Sequence, residues 1–333
     1  MKKAIAIGVI VVTAVSIWWL LLRDESVPQV ENKHQAIDSV QQESMPRVEE
    51  IEQKQSPINL ASTQQTEDET EQEKQPNGAF SNLECWEKLQ VDNPSVAQKF
   101  DALLEQIFLA DHEMTSSGAY TQMPEESLVS LANAQDTTAM LVHGSNLVWQ
   151  GAIGVKVYRN EQYAQKIDRS KIKQHQMDFE KIAQGEEYLY QAAVLGKYGA
   201  LLELSALAGL QARRLIRKDG DKDKIKELMA KNVAYNSLLN KVHQHDPVLA
   251  RFINNDPDSF NKALLKQMYQ NEQQIEQAMN EIKAIANQES DYLLNKWKNN
   301  RDYYGLEYFP RVVDSELEQF MNEAHEKCFS DRD

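Results

Sequence analysis

The hydrophobic pattern divides the chain into three stretches. From Ala4 to Leu22 it is continuous: nineteen residues without a charge, preceded by Lys2 and Lys3 and closed by Arg23 and Asp24. At about 1.5 Å per residue such a helix spans roughly 29 Å, close to the ~30 Å hydrocarbon core of a bilayer. Trp18 and Trp19 suit a membrane–water interface. The reading is a transmembrane signal anchor over residues 1–23. The alternative is an atypical signal peptide, whose only small-x-small site, Ala14-Val15-Ser16, would leave Ile17-Trp18-Trp19-Leu20-Leu21-Leu22 on the mature chain. Cations before the span and an acidic flank after Arg23 keep the N-terminus in the cytoplasm and export the rest. The short Lys-Lys start points to a bacterial inner membrane crossed once, with the C-terminal domain in the periplasm.

Over residues 24–80 the apolar periodicity vanishes. Glu, Gln, Ser and Thr dominate, with Pro28, Pro46, Pro57 and Pro76, and no aromatic residue precedes Phe80. The stretch holds 13 Asp+Glu against 4 Lys+Arg. Such a composition cannot bury enough apolar surface to offset chain entropy. It is expected to be a disordered, acidic, Gln-rich linker, roughly 40 Å end to end as a coil.

From residue 81 to 333 the spacing is helical nearly throughout, so the expected class is all-α, as a helical bundle or a short helical-hairpin solenoid. Val155-Lys156-Val157-Tyr158 is the one short strand candidate. Ser81 with Glu84 and Ser315 with Glu318 fit the capping box. Asn93-Pro94, Asp246-Pro247 and Asp256-Pro257 place a cap before a first-turn proline. Val96, Phe100, Leu103, Leu104, Ile107 and Phe108 make one apolar face, and Val313, Leu317, Phe320, Met321, Ala324 and Cys328 another. Ser259 to about Lys298 reads as one long helix or a hairpin.

Two segments are alike at an offset of 61 residues, Leu131 to Gly144 and Ala192 to Ser205. Each reads as two antiparallel helices joined by a short turn, with a small residue, Gly144 or Ser205, where that pair crosses closely. The order Ala192, Ala193, Gly196, Ala200, Leu204 resembles the Sel-type tetratricopeptide-like repeats, with Ser205 for the last Gly. Ala132, Ala139 and Gly144 match in the first copy, where Gln135 replaces the turn Gly and His143 the Leu. The offset requires an extra helix, about Asn160 to Gln184. The resemblance implies a right-handed solenoid that binds proteins as a scaffold or adaptor, and it carries no catalytic residues.

Only two cysteines occur, Cys85 and Cys328, near the two ends of the exported domain. An oxidising compartment favours a disulfide between them; two separate buried thiols are the alternative. His243-Gln244-His245-Asp246 offers metal-ligand types, but i, i+2 histidines do not share a helix face, and Asp246 reads as a cap. Asp219-Gly220-Asp221-Lys222-Asp223 starts like a calcium loop and then lacks its Gly and Glu. Ser170-x-x-Lys173 lacks the companion motifs of penicillin-binding enzymes. Arg213, Arg214, Arg217 and Lys218 read as cations complementing a helix C-terminus. No catalytic residue, metal ligand or cofactor is therefore assigned.

The net charge is −15, with −9 in the domain and −9 in the linker offset by +3 at the N-terminus. An acidic surface argues against nucleic acid as a partner. The expected function is a membrane-anchored periplasmic scaffold or adaptor that binds other envelope proteins and touches the bilayer through residues 4–22. The alternatives are a helical enzyme acting on cell-wall polymer through unidentified carboxylates, or a structural subunit of an envelope complex.

Overall fold

The computed structural model describes residues 78–107, 119–120, 122–156, 169–253 and 256–329. The apolar run 1–23, nearly all of the acidic linker, Phe108 and half of the strand candidate lie outside them. Every regular element among the described residues is a helix. In chain order these are α1 (Gly78–Asp92), α2 (Pro94–Ile107), α3 (Glu125–Asn133), α4 (Thr137–Ile153), α5 (Arg169–Gln174) and α6 (Phe179–Val194). There follow α7 (Gly199–Ile216), α8 (Lys222–Val242), α9 (Pro247–Ile253), α10 (Pro257–Met268), α11 (Glu272–Tyr303) and α12 (Ser315–Ala324), closed by a π-turn at His325–Phe329. Among the described residues no helix is long and apolar enough to cross a membrane.

The helix starts follow local chemistry, though not always at the expected residue. Asp136, Asp178, Asp221, Asp256 and Asn271 each turn a side-chain oxygen onto a free N–H of the first turn. Asp256 is the cap expected before Pro257. Ser81 is not a cap, because α1 is already under way at Gly78. Ser315 is displaced by Asp314, whose carboxylate accepts the Leu317 N–H at 2.8 Å. Asn93 turns its amide back to the Leu89 carbonyl, 3.0 Å away. The stretch from Ser259 is a hairpin: Tyr269 is extended and Asn271 restarts the helix. The extra helix expected over Asn160 to Gln184 is not continuous. Residues 175–178 separate α5 from α6, and the Asp178 N–H bonds the Gly151 carbonyl of α4 at 3.0 Å.

The two similar segments fall on corresponding turns. In α3–α4 the Gln135 N–H reaches Ala132 O and the Asp136 N–H reaches Leu131 O. In α6–α7, 61 residues on, Gly196 reaches Ala193 O and Lys197 reaches Ala192 O. Both are Schellman closures, which need a left-handed residue after the helix. Gly196 has φ 116°, and Gln135 adopts φ 66° without being glycine. His143, standing where the resemblance expects Leu, is 6% exposed and edge-on to Tyr188.

The small residues sit at close crossings, but with the next helix in the stack rather than the hairpin partner. On α4, Gly144 faces Gly185 of α6 so closely that a Cβ on Gly185 would stand 2.7 Å from the Gly144 carbonyl oxygen. Ser205 on α7 donates to the Asn232 carbonyl of α8 at 2.9 Å, and Asn232 Nδ2 returns a bond to Ser205 O at 2.8 Å. Helices α4, α6, α7, α8 and α11 thus form a stacked series.

A large core runs through that series and reaches the first and last of the described helices. The expected face of α2 and that of α12 meet there. Trp86 of α1 lies 5.3 Å from Phe100 and 5.5 Å from Phe320, ring centre to ring centre. A second cluster fills the far end, with Ile225, Met229, Leu265, Ile275 and Ile282 from α8, α10 and α11.

Candidate functional site

The loop after α11 is locked in place by buried polar groups. Arg301, 3% exposed, donates from Nη1 to Val194 O at the end of α6 and from Nε to Glu307 O. Trp297 Nε1 donates to Tyr308 O at 2.8 Å. Asp246 accepts the N–H groups of Val312 and Val313 at 2.9 and 3.1 Å. Burial pushes the Asp246 carboxyl up, but His243 and the two backbone N–H groups outweigh it and hold the group below the ordinary aspartate value.

Asp246 does stand at the cap position before Pro247, its backbone carbonyl accepting the Ala250 N–H at 3.0 Å, but its carboxylate is turned elsewhere. Its carboxylate serves a segment more than sixty residues away. His243 is fully buried, edge-on to Tyr198, with Nδ1 4.0 Å from Asp246 Oδ2, while His245 is exposed. The two histidines therefore do not converge. Among the described residues no group of three His, Cys, Asp or Glu side chains is placed to hold a metal.

The basic cluster at the end of α7 also has a structural task. Arg214 Nη2 donates to Ile172 O and His175 O, each at 2.9 Å, and Lys218 Nζ donates to His175 O at 2.9 Å. These bonds pin the α5 segment onto α7. Burial, then the neighbouring Arg217 charge, lowers the Arg213 and Arg214 guanidinium pKa values.

The structure brings Cys85 and Cys328 together at a Cα–Cα distance of 5.6 Å, with the sulfurs at disulfide distance. They join α1 to the terminal π-turn beside the Trp86 cluster.

Sequence reasoning missed two features. The first is Glu203 on α7, a partly buried acid between α7 and α4. Ser145 Oγ donates to its Oε2 at 2.7 Å and Trp149 Nε1 to its Oε1 at 2.8 Å. Burial raises its pKa, and those two bonds only partly counter the rise. The second is a cavity of about 360 Å³ between α6, α7, α8 and α11. Ile182, Ala183, Leu228 and Ile285 give it an apolar lining, and Phe179, 45% exposed, stands with them. Glu186 pairs with Lys231 at 2.5 Å, and Lys224 with Glu227 at 3.0 Å.

The chain matches no protein-family model, no curated protein and no solved structure. Neither feature inherits a role from a relative, and each stands on its geometry. The signal for the cavity was present but weak. Ile182 and Ala183 are adjacent on α6, so they point to different sides of the helix, and only the stacking of α8 and α11 makes them one surface.

Proposed function

We propose that the chain is a membrane-anchored helical scaffold that docks other envelope proteins on the flank of its helix stack. The observation that carries this reading is the cavity bounded by α6, α7, α8 and α11, an apolar lining within a rim of charged side chains. Interfaces that form and dissociate commonly combine a dry apolar centre with a polar rim. The apolar run over residues 4–22 and the acidic linker supply the sequence basis for the anchor and tether. The likeness of the α3–α4 and α6–α7 turns supports a relation to helical-hairpin repeats, whose stacked helices offer extended binding surfaces.

The enzyme alternative needs two carboxylates placed around a substrate. Glu203 has both oxygens engaged by donors of its own fold, which favours a structural tie over a reacting acid.

A photo-crosslinking residue at Phe179 tests the reading, with Tyr303 as control. Tyr303 is 81% exposed and lies fourteen residues beyond Glu289 along α11, about 21 Å at helical rise. In intact envelopes the Phe179 position is expected to give a discrete protein adduct that Tyr303 does not. The same adducts from both positions, or none from Phe179, would overturn the docking surface.

A further inference from the structure

The charges around the cavity do not balance. Glu186, Glu227 and Glu289 face Lys224 and Lys231, and both lysines are already engaged, Lys224 with Glu227 and Lys231 with Glu186. Glu289, partly buried on α11, has no ion-pair partner among the described residues. Lys231 also lies over the Tyr235 ring at 5.8 Å. A partly buried carboxylate beside apolar wall residues is a site for a cation with an aliphatic stem.

A second polar group in the wall is unsatisfied. Gln211, 1% exposed, lines the cavity, and its Nε2 has no hydrogen-bond acceptor. A buried amide N–H without an acceptor costs free energy, and an occupant whose carbonyl the Gln211 amide turns to meet removes that cost. A volume of about 360 Å³ falls at the lower end of the range for small-ligand pockets and accommodates one long side chain with its flanking backbone.

We infer that the cavity takes the lysine or arginine side chain of a partner peptide. The aliphatic stem lies on Ile182, Leu228 and Ile285, the cationic head pairs with Glu289, and a peptide carbonyl accepts from Gln211 Nε2. Phe179 covers the peptide at the mouth. This identification rests on the reading of the cavity as a docking surface and adds the chemistry of what enters it. Charge complementarity selects the occupant: the cavity has one carboxylate in excess, and the domain around it is acidic overall.

The test uses the full-length chain purified in a non-ionic detergent, with empty micelles as background. The probes are random pentapeptide libraries with lysine, arginine, norleucine or glutamate fixed at the centre. Retention of the lysine and arginine libraries is expected to exceed that of the norleucine and glutamate libraries by about five-fold, the reach of one partly exposed ion pair. Glu289→Gln should abolish that preference, and Phe179→Ala should lower retention of every library. Equal retention of lysine and norleucine, or a preference that survives Glu289→Gln, would overturn the basic occupant. If no library is retained above background, the basic occupant also fails. In that event a crosslinked adduct at Phe179 leaves the docking surface standing with a different occupant. Loss of both results removes the surface as well. Circular dichroism of Glu289→Gln, a near-isosteric change expected to leave helix content unaltered, separates loss of binding from loss of fold.

Discussion

Cys85 and Cys328 are 243 residues apart in sequence and 5.6 Å apart at Cα. The first described helix and the last turn are therefore neighbours. A link between them closes nearly the whole helical domain into a loop. In the chain-entropy picture a cross-link over that span stabilises by about 5 kcal/mol, an upper figure because native strain subtracts from it. Reduction is expected to lower the melting temperature by up to about 10–20 °C. Cys85→Ser, Cys328→Ser and the double variant should all fall to the same value. Two free thiols found by labelling the denatured, unreduced protein would contradict the pairing.

The α4–α6 crossing depends on two glycines. A Cβ at position 185 meets Gly144 O and Val148 Cγ1 at 2.7 Å, and a backbone oxygen cannot move aside without shifting a helix. Gly185→Ala should destabilise by about 3 kcal/mol or more, at the upper end of overpacking costs. Gly196→Ala meets nothing within 4 Å, so only its φ of 116°, outside the left-handed well, is strained, and about 1–3 kcal/mol is expected. Urea unfolding of the two variants checks the order, and a smaller loss for Gly185→Ala would refute the close crossing.

Asp246 holds the segment before α12 through the Val312 and Val313 N–H groups. Asp246→Ala leaves both donors without their acceptor and should cost about 3 kcal/mol. The folded pKa lies below the ordinary value of 3.8, so the carboxylate's contribution is fully present above that pH. It is lost as pH falls through the lower folded value. Wild type should therefore lose stability on acidification below about pH 4 more steeply than Asp246→Ala. Parallel acid-unfolding curves for the two proteins would show that the clamp contributes nothing.

Glu203 has the opposite sign. Its pKa is raised above 4.5 in the fold, so the folded state binds the proton more tightly than the unfolded chain. Its contribution is complete below pH 4.5 and declines as pH rises through the folded value. Glu203→Gln keeps an oxygen for Trp149 Nε1 and places an N–H₂ group by Ser145 Oγ, whose hydroxyl can accept. At pH 7 this variant should melt at the same temperature as wild type or higher, and it should lack the decline that Glu203 imposes on wild type as pH rises. A marked loss at pH 7 would mean that Glu203 is needed as an anion.

What the sequence determined by itself is the local part. Helical spacing made the all-α class legible, because a buried stripe on a helix must recur near every 3.6 residues wherever the helix packs. The faces Val96-Phe100-Leu103-Ile107 and Val313-Leu317-Phe320-Met321 were readable for that reason, as were the cap at Asp256 and the small residues Gly144 and Ser205. The cysteines could be paired because only two exist.

Tertiary structure decided every feature that joins distant segments. It set Gly144 against Gly185 instead of the hairpin partner and sent the Asp246 carboxylate to Val313. It aimed Glu203 at Ser145 and Trp149, and it gathered Gln211, Glu289 and Phe179 around one cavity. A helix places each side chain at a known angle, but which neighbour occupies that angle depends on how helices stack, and stacking depends on the whole set of interlocking side chains. No local pattern of Glu, Gln and Ile distinguishes a solvated face from the wall of a cavity until α6, α8 and α11 have packed together.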